Sequence, residues 1–369
     1  AGSETGIYLS WNGGEAWEPF QLNMPVTPIN DLMVHQNDLI VATSGRSFWI
    51  LDNLNLLAQY EKAGEVQLYQ PEELVYGAWG SALNGNGSDG TSTFEGVNPA
   101  NGVVLYFELP KMENNEEVTM TFRDANGKVI RTLRSKGQKG FQRYAGGPSP
   151  EPTIPAQEGL NRFVWDTRYP TLPGIPTAYI EASYRGHKVP PGEYEITLNV
   201  QGKSYKTTAT ILPNPMYGID QTQYTEHDAF MNEVEGELRT MHNLVNQMKG
   251  IQEQLNEITQ SLENETLKKE GEEIVAALKA WDEEMVQRKS KAYDDVENFP
   301  NKFTAEYMFM INATESSIPR VNQSSRDRKA ELDTQWAFYK QQADGWLQET
   351  IPSFNKKLWE SGIGAIRMN

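Results

Sequence analysis

The hydrophobic pattern of this 369-residue chain changes period twice. Over residues 1–60 apolar residues fall in short, nearly continuous runs: GIYLS (6–10), AWEPFQL (16–22), INDLMVH (29–35), DLIVATS (38–44) and RSFWILD (46–52). Runs of this length, divided by Gly, Asn and Gln, predict the strands of a meander, and their continuity predicts burial on both faces. SWNGGEAW (10–17) joins the first two runs as a hairpin turn. Asn12 can bond the backbone two residues on, and Gly13 or Gly14 can take the positive φ of a tight turn. Trp17, on the outgoing strand, is expected to enter the core, with Trp11 nearer the surface.

Residues 61–100 read as a transition, with ALNGNGSDGTSTFEG (82–96) as an exposed loop. Alternation then takes over in VVLYFEL (103–109), VTMTFRD (118–124) and, past Asn126-Gly127, KVIRTL (128–133). NRFVWD (161–166), EYEITLNV (193–200) and YKTTATIL (205–212) continue it, the last two turning at Gln201-Gly202. Period-2 alternation with hairpin turns predicts an antiparallel β-sandwich over 101–213, of the immunoglobulin or fibronectin type, about 110 residues long. Segments 148–155 and 169–190 are its long loops, and Tyr194 after Pro-Gly is a core or corner aromatic.

From 214 to 369 the period becomes helical. Met231, Val234, Leu238, Met241, Val245 and Met248 form an a/d seam, and after Gly250 it resumes one residue out of step at Ile251, Leu255, Ile258 and Leu262. Leu267, Ile274, Leu278, Trp281 and Met285 mark a second helix. A shorter one is expected over 303–312. A last long one carries Leu332, Trp336, Tyr339, Ala343, Trp346 and Leu347, ended or kinked by Pro352. Long helices joined by short loops predict an antiparallel helical bundle with this Met and Trp stripe as its core. The expected architecture is therefore multidomain: partial propeller-type blades (1–60), a linker (61–100), the sandwich and the bundle.

Composition narrows the function. The formal net charge of −17 opposes nucleic acid and anionic membrane surfaces as partners. With no cysteine, disulfides, zinc–thiolate sites and thiol nucleophiles are excluded. No apolar run approaches the roughly 20 residues of a membrane-spanning helix. AGSETGIYLS lacks the basic and apolar regions of a signal peptide, so an export signal is expected upstream.

Candidate chemistry is sparse. His35, His187, His227 and His242 are not spaced as a metal pair on one helix face, and each is expected to be structural or on the surface. No nucleophile elbow, P-loop or dinucleotide fingerprint occurs in a strand–turn–helix setting. Asp52 and Asp166 lie near aromatics and an arginine, Arg46 and Arg168 respectively, a pattern that salt bridges at strand ends explain. Asparagine sequons begin at Asn86, Asn264, Asn312 and Asn322. No catalytic residue, metal ligand or cofactor site is nominated.

SWNGGEAW resembles the Asp-box, or BNR repeat, S-x-D-x-G-x-T-W, through Ser10, Asn12, Gly14 and Trp17, with Asn12 for the Asp and Ala16 for the Thr. DLIVATSGRSFWILDNL (38–54) is similar to the closing propeller strands of large secreted bacterial proteins described as sortilin-like or glycosyl hydrolase-like. Where those commonly read ATHGR, this chain has Ala42-Thr43-Ser44-Gly45-Arg46. NRFVWDTRYP, PPGEYEITLNVQGKSY and residues 335–363 are similar to the segments that follow that propeller. The resemblance implies the end of an exported propeller protein, extracellular, periplasmic or on the outer surface. It would bind glycans, peptides or cell-surface partners without catalysis, with Arg46 and Asp52 as candidate binding residues. The alternative it implies is a sialidase-like glycoside hydrolase whose active site lies mostly on upstream blades. The alternative to internal packing of the heptad seam is oligomerisation through it.

Overall fold

The computed structural model describes residues 1–60, 65–77, 99–113, 116–315 and 318–368. The loop expected over 82–96, with Asn86, lies outside the described residues. The chain is a mixed β and α protein whose described residues form three apolar cores.

The first core is small. Strands β1 (Gly2–Ser3), β2 (Gly6–Leu9) and β3 (Glu18–Pro19) form one sheet, and β4 (Ile29–His35), β5 (Asp38–Thr43) and β6 (Phe48–Leu51) another. The β4–β5 turn has positive φ at both Gln36 (46°) and Asn37 (73°), the two-residue geometry that matches the twist of a hairpin. Ile7, Met24 and Val41 fill the space between the sheets, with Leu32, Leu39 and Trp49 packed around them. The opposite face of β4–β6 is apolar too: Met33, Ile40 and Ile50 are in register across the three strands, with Ala42 beside Phe48. Burial on both faces, expected from the sequence, does not occur there; Phe48 is 74% and Ile50 62% exposed. The described residues of this chain cover one face of the sheet and leave the other open.

Helix α1 (Leu54–Gln59) follows, and then two short strands, β7 (Gln67–Leu68) and β8 (Leu74–Val75), inside the stretch expected as linker. They join separate sheets. Strand β7 pairs with β9 (Val103–Leu109), which pairs with β12 (Gly159–Trp165); β8 runs parallel to β14 (Lys203–Leu212). The second sheet has the order β11 (Val129–Arg134), β10 (Thr119–Arg123), β13 (Gly192–Val200), β14, β8. Alternating positions of β9 (Val103, Leu105, Phe107, Leu109) and the apolar side chains of β10 and β13 line one core shared by both sheets. Phe122 of one sheet stacks on Trp165 of the other with ring centroids 4.4 Å apart. Tyr194 is buried in this core and donates its hydroxyl to the Pro190 carbonyl, the corner role read from the sequence.

The third core belongs to the helices: α2 (Gln221–Gln260), α3 (Glu265–Met285), α4 (Phe303–Glu315), α5 (Gln323–Gly345) and α6 (Ile351–Glu360). Asp220 starts α2 with a reciprocal capping box to Gln223, and Asn264 and Asn322 cap α3 and α5. All six residues of the first seam segment are buried, and α2 runs unbroken through Gly250. The seam is covered by the chain's own side chains. A single wide turn, Trp346–Thr350, with i→i+5 bonding joins α5 to α6 and accommodates Pro352 in the first turn of α6. Leu172, Ile175, Ala178, Ile180 and Tyr184, from the long connection between β12 and β13, belong to this helical core. That connection is thus a structural wedge between strands and helices.

Candidate functional site

The SWNGGEAW hairpin is closed by its own side chains. Asn12 Oδ1 accepts from Ser10 Oγ (3.0 Å) and from the Ala16 N–H (2.9 Å), while Ser10 Oγ accepts from the Gly14 N–H (2.8 Å). Gly13 and Gly14 have φ of 71° and 96°, the left-handed region where glycine carries no side-chain penalty. Trp17 does not enter the core: its indole N–H bonds the Gly14 carbonyl (3.1 Å) and the ring remains 52% exposed. Trp11 is held similarly by Glu18 Oε1 (2.6 Å). Ser10, Asn12, Gly14 and Trp17 therefore all act within the turn.

Arg46 and Asp52 stand at opposite ends of β6 and are not brought together. Arg46 lies in the β5–β6 turn, its carbonyl accepting from Trp49 Nε1 (2.9 Å). Asp52 opens instead onto a cavity of about 340 Å³, lined also by Asp38, Glu72, Glu73 and Arg162. Three chain segments converge there. Asn37 Nδ2 donates to Glu72 Oε1 (2.6 Å), Asp38 Oδ1 accepts from the Asn53 N–H (3.3 Å), and the Leu54 N–H bonds the Asn37 carbonyl (2.8 Å). Asn37 and Asn53 both adopt the left-handed backbone that asparagine tolerates well, turning the chain at the cavity edge. Burial raises the Asp52 carboxyl above its ordinary range, Asp38 adds to this, and Arg162 opposes it. Burial also raises Glu72, with the bond from Asn37 opposing and the charges of Asp38 and Asp52 adding. The partner facing Asp52 is thus Arg162, from β12, and not Arg46.

A second cluster is largely buried around His187, Glu235 and Arg131. Asp166 pairs with Arg131 (3.0 Å), and Arg168 pairs with Glu315 of α4 (3.0 Å). His187 lies between Asp228 (3.1 Å to Nε2) and Glu235 (3.1 Å to Nδ1) of α2, and its own N–H bonds Glu235 Oε1 (2.8 Å). Tyr169 stacks on its ring at 4.4 Å. Burial disfavours the imidazolium, but the two carboxylates, as acceptors and as negative charges, prevail and push His187 up to about 9. Burial, reinforced by the neighbouring His187 charge, pushes His227 down to about 4. Burial does the same to His242, down to about 4, against the bond to the Pro173 carbonyl. His187 and His242 are completely enclosed, so neither can exchange a proton with a substrate, and both serve the junction. The sequence spacing hides this cluster because His187 lies 41 residues from Asp228.

The sequons also resolve into structure: Asn264 and Asn322 are helix caps, and the Asn312 side chain bonds both backbone groups of Ser183. Among the described residues, no three or more His, Asp or Glu side chains are arranged to hold a metal ion, and no helix is long and apolar enough to cross a membrane. At the Asp52 cavity, carboxylates can accept bonds from hydroxyl or ammonium donors, and Arg162 supplies a cation. Comparisons with protein-family models, with curated proteins and with solved structures each give no match to this chain.

Proposed function

We propose that this chain is a non-catalytic binding and scaffolding part of an exported Asp-box β-propeller protein, with glycans or peptides as ligands. In this reading β1–β6 are blade strands, the two larger sheets form a sandwich, and α2–α6 form an antiparallel bundle that braces them. The open apolar face at Met33, Ile40, Phe48 and Ile50 supports the first element, because a blade packs on a neighbour through both faces. The self-bonded SWNGGEAW turn supports a structural role for the repeat.

The observation that carries the binding reading is the cavity at Asp52. Its acceptors match the donor-rich edge of a sugar or a basic peptide, and among the described residues no nucleophile–base pair accompanies them. Glycan and peptide arrays probed with the chain and with Asp52→Asn test it: the reading expects a ligand whose signal falls in the variant. Silence from every ligand class, or a signal indifferent to Asp52, removes its basis.

A second reading, part of a glycoside hydrolase, is favoured by one feature: burial raises both Asp52 and Glu72 within one cavity, as a general acid requires. Release of reducing sugar from polysaccharides or sialosides, abolished by Asp52→Asn, decides for it; binding without release decides against it.

A further inference from the structure

Charge along the chain is unevenly placed. Between Asp124 and Glu151 there is no acidic residue, while Lys128, Arg131, Arg134, Lys136, Lys139 and Arg143 all fall in that interval, within a chain of net charge −17. Three of them, Arg134, Lys136 and Lys139, line a cleft of about 700 Å³ together with Thr132, Gln138, Thr153, Glu117 and Glu151. The volume lies within the range that accommodates small ligands.

The walls are fixed by backbone bonds. Ser135 N–H bonds the Val118 carbonyl (2.9 Å), Val118 N–H bonds Ser135 Oγ (3.0 Å), and Ile154 N–H bonds the Arg134 carbonyl (3.1 Å). Thr153 runs beside Arg134 as a parallel bridge. Both acids on the lining are already engaged: Glu117 by Arg134 (2.7 Å), and Glu151 by Arg131 (2.7 Å), a buried guanidinium shared with Asp166. Arg134 keeps 58% of its side chain exposed while paired with Glu117, and Lys139 is exposed.

We infer that this cleft binds an acidic oligosaccharide, a sugar bearing carboxylate or sulfate groups. Such a ligand needs two things at once. Cations must meet its charged groups, which Arg134, Lys136 and Lys139 provide, and polar side chains must meet its hydroxyls, which Thr132, Thr153 and Gln138 provide. The acidity of the whole molecule does not veto this. At physiological ionic strength charges are screened beyond about 8 Å, so the nearest residues set the local field. The same acidity disfavours nucleic acid, whose long charged backbone extends past the cleft onto the acidic remainder.

This inference rests on the glycan-binding reading and names a ligand class at a second place in the fold. Its test uses the purified chain, the triple variant Arg134→Ala/Lys136→Ala/Lys139→Ala and, as a control, Lys249→Ala/Lys279→Ala/Lys302→Ala on the helices. Calorimetric titration uses four probes: oligogalacturonate, a heparin oligosaccharide, neutral dextran oligomers and a short DNA strand. Circular dichroism verifies folding of both variants. Binding of at least one acidic sugar, weakened about tenfold or more in the first variant but not in the control, and falling with added salt, supports the cleft. A preference for carboxylate or sulfate identifies the group. No binding of either acidic sugar at low salt, equal binding by the triple variant, or DNA binding as tight as the sugar overturns it. Dextran binding that survives the triple variant, with neither acidic sugar bound, would leave the Asp52 reading standing while this one falls.

Discussion

His187 Nε2 lies 3.1 Å from Asp228 Oδ1, so an imidazole from the β12–β13 connection is fastened to helix α2 inside the protein. Glu235, seven residues further along the helix, accepts from the His187 backbone N–H and holds its carboxylate 3.1 Å from the other ring nitrogen. Helix and connection therefore share a charged contact that only one protonation state satisfies.

Stability should peak near pH 6.5. The folded His187 value of about 9 exceeds the ordinary 6.5, so its contribution is complete below pH 6.5 and is lost as pH rises through 9. His227 and His242, held down to about 4, act in the opposite sense: their contribution is complete above pH 6.5 and is lost as pH falls through 4. Urea midpoints measured from about pH 4 to pH 9.5 at constant ionic strength should trace a maximum. A profile flat across the alkaline half would show that His187 is neutral in the fold.

Glu235→Leu leaves the buried imidazolium with Asp228 alone and should cost roughly 3–5 kcal/mol. Glu235→Gln should cost less and shift the alkaline loss to lower pH, because a neutral amide no longer favours the charged ring. Identical pH profiles for Glu235→Gln and the parent chain would contradict the assigned partnership.

Two helix glycines should respond oppositely to alanine. Both substitutions gain about 1 kcal/mol of helix propensity. At Gly236 a Cβ meets nothing within 4 Å, so Gly236→Ala should stabilise. At Gly271 it would lie 2.4 Å from Thr259 Oγ1 and 3.2 Å from Phe354, where α3 is pressed onto α2 and α6. Overpacking costs typically 1–3 kcal/mol, so Gly271→Ala should destabilise on balance. Thermal midpoints of the two variants give the comparison, and a stabilising Gly271→Ala would mean that the helices pack less closely than described.

Asn12→Ala removes the acceptor for both Ser10 Oγ and the Ala16 N–H, and should loosen the hairpin by about 1 kcal/mol. Asn12→Asp keeps both bonds and should be neutral or slightly stabilising. Amide exchange at Gly14 and Ala16 reads this locally; equal protection in all three proteins would show that the glycines alone hold the turn.

Arg162→Met should raise the Asp52 carboxyl further, since it removes a cation that opposes burial there. A carboxyl-carbon NMR titration of Asp52 checks the direction, and an unchanged or lowered midpoint would place Arg162 away from it.

Elements that obey a strict period were legible in the sequence. The alternation of VVLYFEL matches β9 residue for residue, and the seam from Met231 to Met248 is buried throughout. Continuous apolar runs were less informative, because INDLMVH and RSFWILD carry the same pattern whether a sheet is covered on two faces or one. Strands β7 and β8 are too short for periodicity to register, and buried Tyr69 and Tyr76 identify them only in the fold. At the candidate site, Asp52 was nominated beside Arg46 by proximity in sequence. Its actual neighbours, Glu72 and Arg162, come from segments 20 and 110 residues away, and no local pattern encodes such an encounter.

The wedge formed by Leu172, Ile175, Ala178, Ile180 and Tyr184 bears on how the protein can be divided. A cut between residues 213 and 214 would follow the change from strand to helix, yet it would strip the helices of five inward-facing side chains supplied by the other piece. Each piece would then carry a greasy scar shaped for its counterpart. Mixed together, the two should reassociate as a split protein, and neither is a module that recombination could lift intact into another gene.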